Sequence, residues 1–221
     1  MLILKNIIVS VRSIKFLILL LNLIAGGVLN AQNRSQTAKA IPDNWTVYNR
    51  NVSYSDGIIH LDAQENDGLL WIKGSTFTNG TIELDIKGRN VQGQSFVGIA
   101  FHGQDNQTFD GVYFRAFNFK NPDRNNHSVQ YISMPDYDWS KLRNTYPGKY
   151  EHTINPVPEP DDWFHAKIVI HYPEIKVYVN NSDKPTLKVK QISDWQDGKI
   201  GVWVGNGSEG WFKNFTITKT E

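Results

Sequence analysis

What constrains this chain most is the period of its apolar residues, which beyond the first 31 positions is two rather than 3.6. In Gly80-Thr-Ile-Glu-Leu-Asp-Ile-Lys87, the aliphatics Ile82, Leu84 and Ile86 alternate with Thr81, Glu83, Asp85 and Lys87. That pattern describes a strand with one dry and one wet face. No stretch of a dozen residues holds apolar positions at helical spacing. The same reading gives twelve strands: Trp45 to Tyr48, Gly57 to Asp62, Gly68 to Lys73, Gly80 to Lys87, Ser95 to His102, Gly111 to Phe119, Ser128 to Met134, Trp163 to His171, Ile175 to Asn180, Thr186 to Gln191, Lys199 to Val204 and Trp211 to Lys219. Short strands punctuated by Asn, Asp, Gly and Pro predict an all-β chain folded as a two-sheet antiparallel sandwich. Ile82, Leu84, Ile86, Val112, Phe114, Ile168 and Ile170 are expected to face between the sheets, and Ile170-His-Tyr-Pro-Glu-Ile175 to form a tight hairpin.

Two segments fall outside the alternation. Residues 1–31 carry Lys5, Arg12 and Lys15, then the apolar run Phe16 to Ile24, then small residues ending at Ala31. This is the order of an export signal, and the run is short for a spanning helix, which needs about 20 apolar residues. The expected organisation is a signal peptide over 1–31, a linker over 32–41 and one domain over 42–219, secreted or periplasmic, with no membrane span after cleavage. The second break, Pro135 to Asp162, is too long for an ordinary connection and carries Tyr137, Trp139, Tyr146 and Tyr150; it is expected to be an ordered loop packed across one sheet.

Composition then removes several classes of function. With no Cys, the chain has no disulfide framework, thiolate nucleophile or zinc ribbon. Without the signal it holds 20 basic and 22 acidic residues, and acids interrupt every basic stretch, which argues against nucleic acid as a partner.

The order Gly80 to Lys87, Phe96-Val-Gly-Ile-Ala-Phe101, Asp110-Gly-Val-Tyr-Phe-Arg115, Trp163 to Val169, Val177-Tyr-Val-Asn180, Gly198-Lys-Ile-Gly-Val-Trp203 and Phe212-Lys-Asn-Phe215 resembles the concanavalin A-like lectin and glucanase superfamily. The nearest resemblance is to laminin G-like and 3-keto-disaccharide hydrolase (DUF1080-type) domains. It implies a jelly-roll sandwich whose concave sheet face receives ligand. It does not carry glucanase catalysis over, because Glu83 and Asp85 are followed by Lys87 and Gly88 where that branch places its last acid. As a bare strand pair, Glu83 and Asp85 read as solvent-facing.

Tyr113, Arg115 and Phe117 alternate with Val112, Phe114 and Ala116. An aromatic beside a guanidinium suits a sugar ring, held by stacking and forked hydrogen bonds; the other reading is a structural arginine paired with a carboxylate across the rim. His102 follows the small Gly98 and Ala100; Gln130 beside Ser128, or Tyr131 beside Val129, and Lys167 on its own strand are further candidates. Tyr137 and Trp139 come from the long loop. His102, Lys167 and His165 are the available proton-transfer groups should the domain be an enzyme. No cofactor is expected; calcium is an option only at the turn holding Asp105, Asn106 and Asp110. Gly205 to Gly210 satisfies G-x-G-x-x-G but has no helix after it and reads as a hairpin turn. The expectation is a carbohydrate-recognising module for an oligo- or polysaccharide, with a glycoside hydrolase or lyase as the alternative and an adhesion domain third.

Overall fold

Every strand expected from the alternation forms. The computed structural model describes residues 34–220, so the expected signal peptide lies outside the described residues. One sheet contains β1 (Arg34–Thr37), β3 (Val52–Ser55), β4 (Ile58–Leu61), β6 (Asn79–Lys87), β11 (Phe164–His171), β12 (Glu174–Val179), β13 (Leu187–Lys190) and β15 (Gly210–Thr220). Its order is β13-β12-β11-β6-β15-β4-β3, with β1 also on β15. The other contains β2 (Trp45–Tyr48), β5 (Gly68–Ile72), β7 (Phe96–Gly103), β8 (Phe109–Arg115), β9 (Val129–Met134), β10 (Glu151–His152) and β14 (Lys199–Val204), ordered β10-β9-β8-β7-β14-β5-β2. All neighbours are antiparallel. Among the described residues no helix is long and apolar enough to cross a membrane.

The sheets meet through the expected residues. Ile82, Leu84, Ile86, Val112, Phe114, Ile168 and Ile170 are all buried. Phe114 of β8 packs edge-on against Phe164 of β11 at 4.9 Å, and Trp45 of β2 against Phe215 of β15 at 5.8 Å, so these rings span the core. The two outer faces differ. On β6 and β11 buried and partly exposed residues alternate, whereas β8 is buried on both faces. Another layer therefore covers the seven-stranded sheet, and chain from two places supplies it: residues 116–128 and the long segment from Pro135 to Asp162.

That segment corrects one expectation. It contains a short helix, α1 (Trp139–Thr145), and β10, which pairs with β9. Asp138 caps α1 by accepting a hydrogen bond from the Lys141 N–H at 2.7 Å, and Leu142 is its buried anchor. Strand β8 also ends earlier than expected, at Arg115, with a 3-10 turn over Ala116–Asn118. In the expected linker, residues 34–37 form β1, which pairs with Thr216–Lys219 of β15, beyond the part of β15 held by β4. The Gly205 to Gly210 stretch is not a hairpin: it carries the chain from β14 in one sheet to β15 in the other. The Tyr172-Pro173 hairpin between β11 and β12 forms as expected.

Candidate functional site

On the covered face of the seven-stranded sheet, Trp203, Gly98, Tyr113, Gln130 and Glu151 are successive cross-strand partners. Only glycine fits at 98, because a Cβ there would lie 2.2 Å from the Val112 carbonyl oxygen and 2.6 Å from the Tyr113 Cα. Across that gap the rings of Tyr113 and Trp203 come within 5.0 Å of each other. One register step away Phe96 faces Arg115, whose guanidinium lies 4.8 Å from the Tyr113 ring centroid and 5.9 Å from that of Phe96.

Arg115 is almost fully buried and donates to three neutral acceptors: the Tyr113 hydroxyl at 2.5 Å, Gln130 Oε1 at 2.5 Å and the His127 carbonyl at 2.9 Å. The nearest carboxylate is Glu151, 3.8 Å away and 3% exposed. Arg143 holds both Glu151 oxygens in a fork, through Nε at 2.8 Å and Nη2 at 2.6 Å, and His127 Nδ1 lies 2.8 Å from Oε2. Helix α1 explains this placement: Trp139 and Arg143 are four residues apart on one helical face, with the guanidinium 5.0 Å from the indole centroid. The sheet supplies the floor of the site and α1 its wall.

Charge follows burial here. Burial pushes the Tyr113 hydroxyl up to about 12 and draws the Arg115 guanidinium below its ordinary value. Burial would also raise Glu151, but the hydrogen bonds and charge of Arg143, joined by His127, outweigh it and hold the carboxyl below the usual range. Asp67 is different: burial raises its carboxyl although the Trp203 indole N–H donates to it at 3.2 Å.

Over this floor the surface opens in two lobes. The larger, about 360 Å³, is lined by Phe96, Arg115, Arg124, His127, Trp139 and Arg143 among others. The smaller, about 220 Å³, is lined by Asp67, Tyr113, Asp138, Trp139 and Trp203 among others. Phe96 and Trp139 line both, which makes them one groove.

Of the residues singled out from sequence, the structure brings Tyr113, Arg115, Gln130 and Trp139 together. Arg115 lies 3.8 Å from a carboxylate, Glu151, and it also lines the groove. Phe117 also reaches the larger lobe, through the 3-10 turn rather than strand alternation, and packs on Phe96 at 5.5 Å. Tyr137 lines a neighbouring cavity of about 270 Å³. Tyr150 is buried against Tyr131, and so pins the segment to the sheet.

Four further candidates lie elsewhere. His102 misses the groove because the register between β7 and β14 shifts between Lys199 and Gly201, and His102 itself takes φ 50°. The bulge turns the ring onto Phe77, with Nε2–H donating to the Thr78 carbonyl at 2.6 Å. Tyr131 points into the sandwich, since strand parity gives the groove face to Gln130; its hydroxyl donates to Asp110 at 2.5 Å and accepts from the Ile192 N–H. Lys167 lies on the outer face of the eight-stranded sheet, opposite Glu83 and Tyr178. His165 shares that face, with Nδ1 2.9 Å from Asp85.

At the turn offered for calcium, the three side chains accept hydrogen bonds from protein donors. Asp105 accepts from the Gln107 and Thr108 N–H groups, Asn106 from the Trp71 indole, and Asp110 from Tyr131 and Ser193. Among the described residues no three His, Cys, Asp or Glu converge on a metal position. Sequence reading missed Phe96, Asp67, Arg124, His127, Arg143 and Trp203 as groove residues, and Glu151 beneath them. For Arg143 a signal existed, in the helix-capping Asp138 followed four and five residues later by Leu142 and Arg143.

Three solved structures show what kind of sandwich this is. The carbohydrate-binding module CBM66 from Bacillus subtilis superposes with TM-score 0.59 at 15% identity, over 80% of this chain and 96% of that one. A native glycosidic hydrolase gives 0.56 at 15% identity, over 86% and 97%. The VIP36 exoplasmic/lumenal domain, in a form bound to Ca2+ and Man3GlcNAc, gives 0.57 at 13% identity, over 82% and 85%. The fold is the concanavalin A-like jelly roll shared by lectins and glycosidases. Within it, the chain belongs to the 3-keto-alpha-glucoside-1,2-lyase-like domain family, whose model matches residues 37–218. A comparison of the sequence with curated proteins finds no match.

Proposed function

We propose that this protein is an exported carbohydrate-recognising module that holds an oligo- or polysaccharide in the groove over β7, β8, β9 and β14. The observation that carries this reading is the groove itself. Phe96 and the half-exposed Trp139 flank it, and the Arg115, Tyr113 and Gln130 network forms its floor. Sugar rings offer apolar C–H faces ringed by hydroxyls, so aromatic walls beside fixed polar groups are the complementary surface. The likeness to CBM66 and VIP36 supports the same reading. Residues 1–31 then act as the export signal, and the mature domain works in the periplasm or outside the cell.

One observation favours a second reading, an enzyme acting on a keto-glucoside as the family description suggests. Asp67 lies in the smaller lobe with its carboxyl raised by burial, as a proton-transfer group requires. One experiment separates the two: native and 3-keto oligosaccharides are titrated into the protein by calorimetry while mass spectrometry follows product. A binder saturates without product, whereas an enzyme cleaves the keto sugar and loses turnover in Asp67→Asn. Trp139→Ala is the binding control, since removing a half-exposed ring disturbs the fold less than cutting into the buried network beneath it. Arg115→Ala cannot serve, because truncating a buried donor to three acceptors also destabilises the fold. No saturable binding to any sugar, with the domain folded, refutes the proposal.

A further inference from the structure

We infer that the larger lobe of the groove is a carboxylate subsite, taking a uronic acid residue of an acidic glycan on Arg115, Arg124 and Arg143. This deepens the proposed carbohydrate function and rests on it. The lobe's lining carries three guanidiniums and the His127 imidazole against one carboxylate, Asp123. A neutral sugar presents hydroxyls that both donate and accept, and it is served by mixed polar groups. On this wall the donor groups of the three guanidiniums outnumber the acceptors, although Gln92, Asn118 and Asp123 offer side-chain oxygens.

Glu151, the carboxylate beneath the lobe, offsets only part of the excess. Both its oxygens are occupied by the Arg143 fork, and it sits 3.8 Å from Arg115. Arg115 makes its short hydrogen bonds with neutral acceptors alone, and its one counter-charge, Glu151 at 3.8 Å, is shared with Arg143 and His127. Burial already lowers its hold on the proton; an incoming anion would reverse that. Arg143 keeps Nη1 free of hydrogen bonds among the described residues, and Arg124 stands exposed at the rim. The Arg143–Glu151 fork shows the local geometry that a planar carboxylate adopts on a guanidinium. Phe96, Phe117 and Trp139 provide the apolar surface for the ring that bears it.

The test is calorimetry of the protein with uronate trisaccharides (galacturonate, glucuronate and mannuronate), each paired with its carboxyl-reduced counterpart, and with 6-sulfated trisaccharides as a separate arm. At least one uronate should bind ten times more tightly than its reduced partner, with the preference shrinking as NaCl rises. Arg124→Gln should cut the preference at least threefold, while Lys188→Gln, on the far edge of the other sheet, should leave it intact. Equal affinity for uronate and reduced sugar overturns the carboxylate subsite while leaving carbohydrate recognition standing. Tighter binding of the sulfated sugars overturns the assignment to a carboxylate. An Arg124→Gln variant with unchanged preference places the anion elsewhere and overturns the subsite. No binding to any sugar, native, oxidised or acidic, overturns both this inference and the proposed function.

Discussion

Replacing Glu151 with Gln tests whether the charge cluster is organised as described. The substitution keeps the side-chain size but removes the negative charge around which Arg143, His127 and Arg115 gather at 2.6, 2.8 and 3.8 Å. Removing one partner of a buried pair costs about 3–5 kcal/mol, because the other charge is left uncompensated. The Arg143 side chain is 34% exposed and can recover water, whereas that of Arg115 is 6% exposed and cannot. The low end, about 3 kcal/mol, is therefore expected. For a domain of about 190 residues this lowers Tm by about 6–12 °C. The effect also has a pH signature. The folded Glu151 carboxyl lies below its ordinary value of 4.5, so its stabilisation is fully present above 4.5 and is lost as pH falls from there through the folded value. Urea unfolding of wild type and Glu151→Gln at intervals from pH 7 to pH 3.5 should show a constant gap at neutral pH that closes in acid. A Tm change under about 2 °C, or a gap that persists or widens below pH 4.5, refutes the account of the cluster.

Two further outcomes follow from the structure. Gly98→Ala should destabilise the domain by about 1–3 kcal/mol in urea unfolding, since its Cβ meets backbone on β8 rather than a side chain that can swing aside; wild-type stability would mean the strands part there at no cost. Exported from a bacterial host, the full chain should yield a mature product beginning near Gln32 by intact mass, and a product retaining Met1 in the cytoplasmic fraction would end the reading of residues 1–31 as a signal.

The sandwich was legible because alternation states both strand and face. Ile82, Leu84 and Ile86 could be placed inside before any pairing was known, and Phe114 with them. Two of the three unread strands lack that signal: Arg34-Ser-Gln-Thr37 has no apolar face and is held by backbone pairing to β15, and Glu151–His152 is two residues long. Val52–Ser55 does alternate, but over four residues at a sheet edge with Val52 and Tyr54 only partly buried. His102 failed because a bulge changes parity without changing composition, so the sequence continues to alternate while the chain does not. Tyr131 and Gln130 could not be ranked because both faces of β9 are dry. Where a second layer covers a sheet, polarity no longer tells inside from outside.

That second layer is also why the groove falls where it does. Had the covering segments only to shield the sheet, apolar side chains could fill the space above Tyr113 and Gln130. The groove floor instead holds Arg115 and Glu151, both nearly dry, with Arg143 and His127 beside them. A buried ion cluster is seldom more stabilising than well-packed hydrophobic groups of the same volume. Under the proposed function its contribution is of another kind: donors fixed in direction before a ligand arrives leave little ordering to be done on binding. Gly98 serves the same end. By bringing β7 and β8 close it lets Trp203 meet Tyr113 at 5.0 Å, and Tyr113 in turn receives the Arg115 guanidinium. The bare backbone at one glycine thus leaves room for the ring that accepts from the Arg115 guanidinium.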